Sequence, residues 1–151
     1  MSLHQCPLFA EFNQVELSAM KAIMQRSDFR AGACLFREND PGDSLVFIIH
    51  GSLRISKKAP DGTDEEVAVL GSGSYLGEMA LFGKGLRSTT GTALESTEAA
   101  VIPYVTLQGF LDNNPATAAK FYKAVAAGMA KRLTQMNGSV AFLKSFLKEQ
   151  V

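Results

Sequence analysis

Gly71-Ser72-Gly73-Ser74-Tyr75-Leu76-Gly77-Glu78-Met79-Ala80-Leu81-Phe82-Gly83-Lys84-Gly85-Leu86-Arg87-Ser88-Thr89-Thr90 is the stretch around which this chain is organised. Its glycines let the backbone take positive φ and approach a ligand closely. It holds one carboxylate, Glu78, and one guanidinium, Arg87, separated by a short apolar turn and more glycine. An ionised carboxylate only accepts hydrogen bonds, so Glu78 can hold a sugar hydroxyl and repels phosphate. A guanidinium is a fixed fork of donors and fits a phosphate with two parallel bonds. Free N–H groups on the turn from Glu78 to Phe82 would complete an anion nest. The pair therefore suits a small ligand with a sugar diol at one end and a phosphate at the other.

Gly77-Glu78-x-Ala80-Leu81, followed by Arg87-Ser88, resembles the phosphate-binding cassette of cyclic-nucleotide-binding domains. Such domains occur in bacterial catabolite activators and in regulatory subunits of the cAMP-dependent kinase. The resemblance extends upstream to Gly32, Gly42-Asp43 and Gly51, and downstream to the last helix, so it covers nearly the whole chain. It implies a jelly-roll-like antiparallel β-roll in an α+β fold, with an N-terminal helix, a short cassette helix and a long C-terminal helix. Leu76, Leu86 and Gly91 depart from the family pattern, and Gly91 is expected to loosen the strand after the cassette. Two other phosphate motifs fit poorly. Gly71, Gly73 and Gly77 miss the dinucleotide spacing, and Gly83-Lys84 has no Ser or Thr after the Lys as a P-loop requires.

The chain has 151 residues, enough for one domain with a core and an appendage. Lys and Arg number 15 and so do Asp and Glu, so no strong field draws it to nucleic acid or membrane. Cys6 and Cys34 make neither a disulfide framework nor a metal site. With no secretory leader in Met1–Pro7 and no membrane-length apolar run, the expectation is a reducing, cytoplasmic setting.

Phe9, Phe12, Val15, Leu17, Met20, Ile23 and Met24 recur at helical spacing and predict a helix over Phe9–Gln25. Ser27–Arg30 reads as a link. Strands are expected at Ala33–Arg37, Leu45–Ile49, around Leu53 and Ile55, from Val67 into the cassette, at Ser88–Leu94 and at Ala99–Pro103. Asn39-Asp40-Pro41-Gly42 and Pro60-Asp61-Gly62 read as turns. His50 reads as a turn histidine, because His4 and His50 are too few for a cupin-type metal centre. Tyr104–Asp112 predicts a short helix with Thr106 as its cap. Asn114 and Pro115 then suit the cap and first position of a long helix. Met129, Leu133, Met136, Val140, Leu143 and Leu147 form a heptad seam on it, which points to pairing with a second copy. Gly128 and Asn137-Gly138 interrupt this helix and suggest a hinge or an end near Gly138. The whole reads as one domain, 1–151, with an N-terminal segment 1–26, a roll 27–103 and C-terminal helices 104–151.

Function follows from the resemblance: a ligand-sensing module and not an enzyme, binding cAMP in preference to cGMP and moving its C-terminal helices in response. It implies ligand contacts from Gly77, Glu78, Met79, Ala80, Arg87, Ser88 and Thr89. Val69 and Leu76 would add apolar flanks, and Gln135, Met136 or Asn137 a lid over the base, with Asn137 the best suited. It implies no metal and no cofactor beyond the nucleotide. The expected partners are a second copy and an effector protein. DNA binding by this chain alone is not expected, since no helix-turn-helix follows the long helix. The rival reading is an interaction or dimerisation module with a vestigial pocket.

Overall fold

A computed structural model describes residues 3–78, 81–82 and 85–149. Among these residues, two antiparallel four-stranded sheets face each other. One runs β1 (Gln25–Phe29), β8 (Thr97–Pro103), β3 (Ser44–His50), β6 (Tyr75–Leu76), and the other β2 (Cys34–Phe36), β7 (Thr90–Ala93), β4 (Ser52–Lys58), β5 (Asp64–Gly71). Helices α1 (Gln14–Ala22), α2 (Tyr104–Asn113) and α3 (Pro115–Glu149) complete the fold, with short 3-10 turns at Leu3–Gln5 and Pro7–Phe9. This is the expected α+β arrangement of β-roll and helices.

β3 explains the layering. Leu45, Phe47 and Ile49 join a core with Phe9, Phe12, Leu17, Met20, Leu107, Phe121 and Val125 from the helical layer. Ile48, on the opposite face, joins Phe36, Leu53, Ile55 and Ala93 between the sheets. A strand buried on both faces reads as one continuous apolar run, as Leu45–Ile49 does.

Several expectations need correction. The first helix is shorter than predicted, and Phe9 and Phe12 enter the core from 3-10 and loop backbone ahead of it. The supposed link is strand β1, whose polar QRSDF sequence is held by antiparallel pairing with β8. Thr106 does not cap α2, which starts two residues earlier, after Pro103. Asn114 and Pro115 do take the cap and first positions of α3, the Ala118 N–H donating to the Asn114 carbonyl at 2.8 Å, while the Asn114 side chain turns back to α2, its Nδ2 donating to the Phe110 carbonyl at 2.8 Å. α3 runs without a break through Gly128 and Gly138. Gly128 serves packing, because a Cβ there would strike the Tyr75 hydroxyl. Gly91 likewise makes room: a Cβ would lie 2.5 Å from the Phe36 ring. The glycine admits the ring rather than loosening the strand.

The N-terminal helix does more than cover the sheet. Asn13 and Glu16 form a capping box. The Glu16 carboxylate also accepts from Thr117 Oγ1 at 2.5 Å and Lys120 Nζ at 2.6 Å on α3. The Asn13 N–H, Lys120 and Thr117 together pull its pKa from an ordinary 4.5 down to about 2. Because the folded value lies below the unfolded one, the stabilisation is whole above about pH 4.5 and is lost as pH falls toward 2. Glu16→Gln should therefore lower the urea midpoint near neutral pH. It should also flatten the fall of that midpoint between pH 4.5 and 2. An acid limb as steep as the parent's would place that pH dependence on other groups.

Candidate functional site

The site forms where the chain changes sheet. β5 ends at Gly71, and after a turn β6 pairs with β3 of the other sheet, Leu76 opposite Val46. Gly77 follows with φ +95°. A Cβ there would lie 2.8 Å from an Arg87 terminal nitrogen, 2.8 Å from the Ser44 carbonyl and 2.9 Å from the Tyr104 hydroxyl. Glycine is thus required twice over, for its backbone angle and for the space. The Arg87 guanidinium is thereby seated against the residue that precedes Glu78.

Arg87 is held on every side. Its backbone N–H donates to the Asp40 carbonyl at 2.7 Å, and its carbonyl accepts from the Asn39 N–H at 2.8 Å. The Asn39–Gly42 turn therefore exists to clamp the arginine. A terminal nitrogen donates to the Ser44 carbonyl at 2.9 Å and to its hydroxyl at 3.2 Å. The guanidinium lies 5.2 Å over the Phe36 ring. These contacts leave part of its donor fork for an anion.

Glu78 is 2% exposed, and its carboxylate is paired with Arg132 from α3. The Arg132 guanidinium also stacks 5.6 Å over the Tyr75 ring. Burial raises the Tyr75 hydroxyl pKa; the Glu78 charge adds to this and Arg132 opposes it. The Tyr104 hydroxyl donates to the Gly77 carbonyl. Burial raises its pKa too, against the pull of Arg87. So α2 and α3 each send one polar side chain to the cassette.

Among the other expected residues, Leu76 packs on the core between the sheets. Ser88 is exposed beside Arg87, and Thr89 is half-buried. Met79 and Ala80 lie outside the described residues. Val69 is a correction: it pairs with outward-facing Arg54 and is largely exposed, while its neighbour Leu70 packs inward. Asn137 is five residues beyond Arg132, about 140° round the helix, and is exposed. The structure does not bring it to Glu78. Sequence reasoning missed Ser44, Tyr104 and Arg132. Arg132 stood among cations off the seam, and only its place one turn after Gly128 marked it.

A model of the cyclic nucleotide-binding domain matches residues 26–114. The chain belongs to that family. It is 30% identical over 135 residues to a CRP-like cAMP-activated global transcriptional regulator of Mycobacterium tuberculosis, covering 87% of this chain and 58% of that protein. The chain thus spans little more than half of that relative's length. Among solved structures it is similar to the N-terminal domain of a transcriptional regulator from Streptomyces coelicolor, with 32% identity and a TM-score of 0.79 over 87% of this chain and 95% of that one. It is also similar to the Thermus thermophilus catabolite activator protein, with 27% identity and a TM-score of 0.80 over 91% and 63%. Among the described residues no cluster of metal-ligating side chains occurs, and no helix is long and apolar enough to cross a membrane.

The Glu78–Arg132 pair is the charged contact between this cyclic nucleotide-binding domain's cassette and its last helix, beside the Phe82–Tyr122 ring contact. In a double-mutant cycle with Glu78→Gln and Arg132→Met, urea unfolding should return a coupling between about 0.5 and 3 kcal/mol. The low end is expected, because Arg132 keeps 47% of its side chain in solvent. A coupling of zero would mean that the two charges do not hold α3.

Proposed function

We propose that this domain is a regulatory sensor of a cyclic purine nucleotide, with cAMP the preferred ligand. The observation that carries it is the Arg87 guanidinium seated against Gly77, the residue before a buried Glu78 that pairs with Arg132 of α3. Arg87 would bind the cyclic phosphate, helped by Ser88, Thr89 and the N–H groups near Met79 and Ala80. Glu78 would accept from the ribose hydroxyl; a carboxylate has two oxygens and can serve both Arg132 and a ligand. Leu76 would flank the sugar. Val69 and Asn137 take no part. The cAMP preference is supported by the similarity to a cAMP-activated regulator, whereas a hydroxyl at Ser88 would also suit a guanine amino group in cGMP. An enzymatic role is not part of the proposal, and no DNA contact is proposed for a chain of balanced charge. Two free cysteines suit a cytoplasmic setting; burial raises the Cys6 thiol to about 11 and leaves it inert.

Ligand binding would act through Arg132 and Tyr104. A ribose hydroxyl at Glu78 changes what Arg132 can hold, and a phosphate at Arg87 changes the surroundings of the Gly77 carbonyl. A ligand with different affinity for two placements of α2 and α3 shifts their populations. Calorimetric titration with cAMP and cGMP tests the reading. Arg87→Ala should weaken binding by at least about 2 kcal/mol, since the phosphate loses its charged partner. No heat from either nucleotide at millimolar concentration, or an unchanged affinity in the variant, would favour the vestigial-pocket reading.

The output surface proposed is the far part of α3, meeting a second copy. Every described side chain from Ala130 onward is exposed, among them Leu133, Met136, Val140, Leu143 and Leu147. A heptad seam left in water suits a matching helix. Light scattering should give twice the chain mass, and Leu143→Glu should give the single mass. A parent protein of single mass at high micromolar concentration would leave this surface to an effector protein.

A further inference from the structure

β4 turns successive side chains to opposite faces, although Ser56 is buried like Ile55 beside it and the pairing with β5 shifts register between the two. Leu53 and Ile55 face the core between the sheets, while Arg54, Ser56 and Lys58 lie on the outer face with Thr90 and Thr92. Lys57 therefore belongs to the inner face, beyond Ile55. β7 follows the same rule across the pairing of Ile55 with Gly91 and Ser56 with Thr90. Gly91 admits the Phe36 ring on the inner face. The Lys57 ammonium crosses to the cassette and donates to the Ser88 carbonyl at 3.4 Å. This is the residue next to Arg87. Glu65 pairs with Lys57 across β4 and β5, yet the two form no ion pair among the described residues.

We propose that Lys57 is a second ligand-binding cation, meeting the anionic end of the nucleotide from the β4 side while Arg87 meets it from the cassette. The inference rests on the nucleotide reading above. An ammonium has three donors and spends one on Ser88, so others remain for phosphate oxygens. Its long flexible stem lets the head move onto a ligand. Being exposed, the charge acts through a screened field, so its effect must shrink with salt.

The test is calorimetry with cAMP and cGMP on the full chain at low and high ionic strength. Lys57→Met should weaken both ligands roughly five-fold at low salt and less at high salt. Lys57→Gln keeps a donor for the Ser88 carbonyl without the charge and should weaken them equally, which separates charge from loop positioning. Lys58→Met removes the same charge from the outer face and should leave affinity unchanged. Parent-like affinity in both Lys57 variants overturns the proposal, as does an equal loss in Lys58→Met. Arg87→Ala separates this failure from a wider one: if it abolishes binding while Lys57→Met does not, only the second cation is lost. If Arg87→Ala binds normally, the nucleotide reading itself falls.

Discussion

Everything near the cassette depends on the missing side chain of Gly77. At φ +95° and with no Cβ, this residue lets an arginine, a carbonyl and a phenol converge on one peptide. Any larger residue would separate Arg87 from the Ser44 carbonyl and push Tyr104 off the Gly77 carbonyl. Arg87 lies against Gly77, and the next residue, Glu78, carries a buried carboxylate paired with Arg132. Under the nucleotide proposal, the phosphate would meet Arg87 and the diol would meet Glu78.

The same peptide carries the connection outward. α2 begins at Tyr104, whose N–H donates to the Asp43 carbonyl at 2.9 Å and whose hydroxyl reaches Gly77. α3 passes close enough to Tyr75 to need Gly128 and then sets Arg132 on Glu78. Glu16 fixes α3 to the N-terminal helix farther back. α3 is therefore anchored over its first turns, meets the cassette at the Phe82–Tyr122 ring contact and at the Glu78–Arg132 charged pair, and is exposed beyond them. Arg132 lies at the boundary between the packed and exposed parts of α3, where, under the sensor proposal, a change at Glu78 would reach the helix.

The parts legible in the sequence were those in which chemistry and spacing are local. The cassette carries its glycines, acid and arginine within a few turns of chain, and the turn at Asn39–Gly42 was plain from its residues. β3 and β4 were legible because burial writes itself into apolar runs and alternation. β1 was not, since its polar side chains face solvent and its pairing with β8 lies far along the chain. Gly91 and Gly128 were read as weaknesses because their partners, Phe36 and Tyr75, come from distant segments. Arg132 was hidden for the same reason: nothing in its neighbourhood on α3 names Glu78. Val69 failed by one residue of register, which turns a side chain to the other face of the sheet.

The Glu78–Arg132 pair is poorly explained as a device for stability. Burying a carboxylate costs several kcal/mol, and attraction to a half-solvated arginine repays only part of it. An apolar pair of similar volume would hold α3 to the roll at least as well. A charge kept there at such a cost serves better as a group to be shared. The carboxylate can exchange part of its hold on Arg132 for a hydroxyl without being left unpaired, so the helix contact can change while the site stays satisfied. A contact close to balance is what a small ligand can tip, because a ligand moves an equilibrium only by its difference in affinity for the two states.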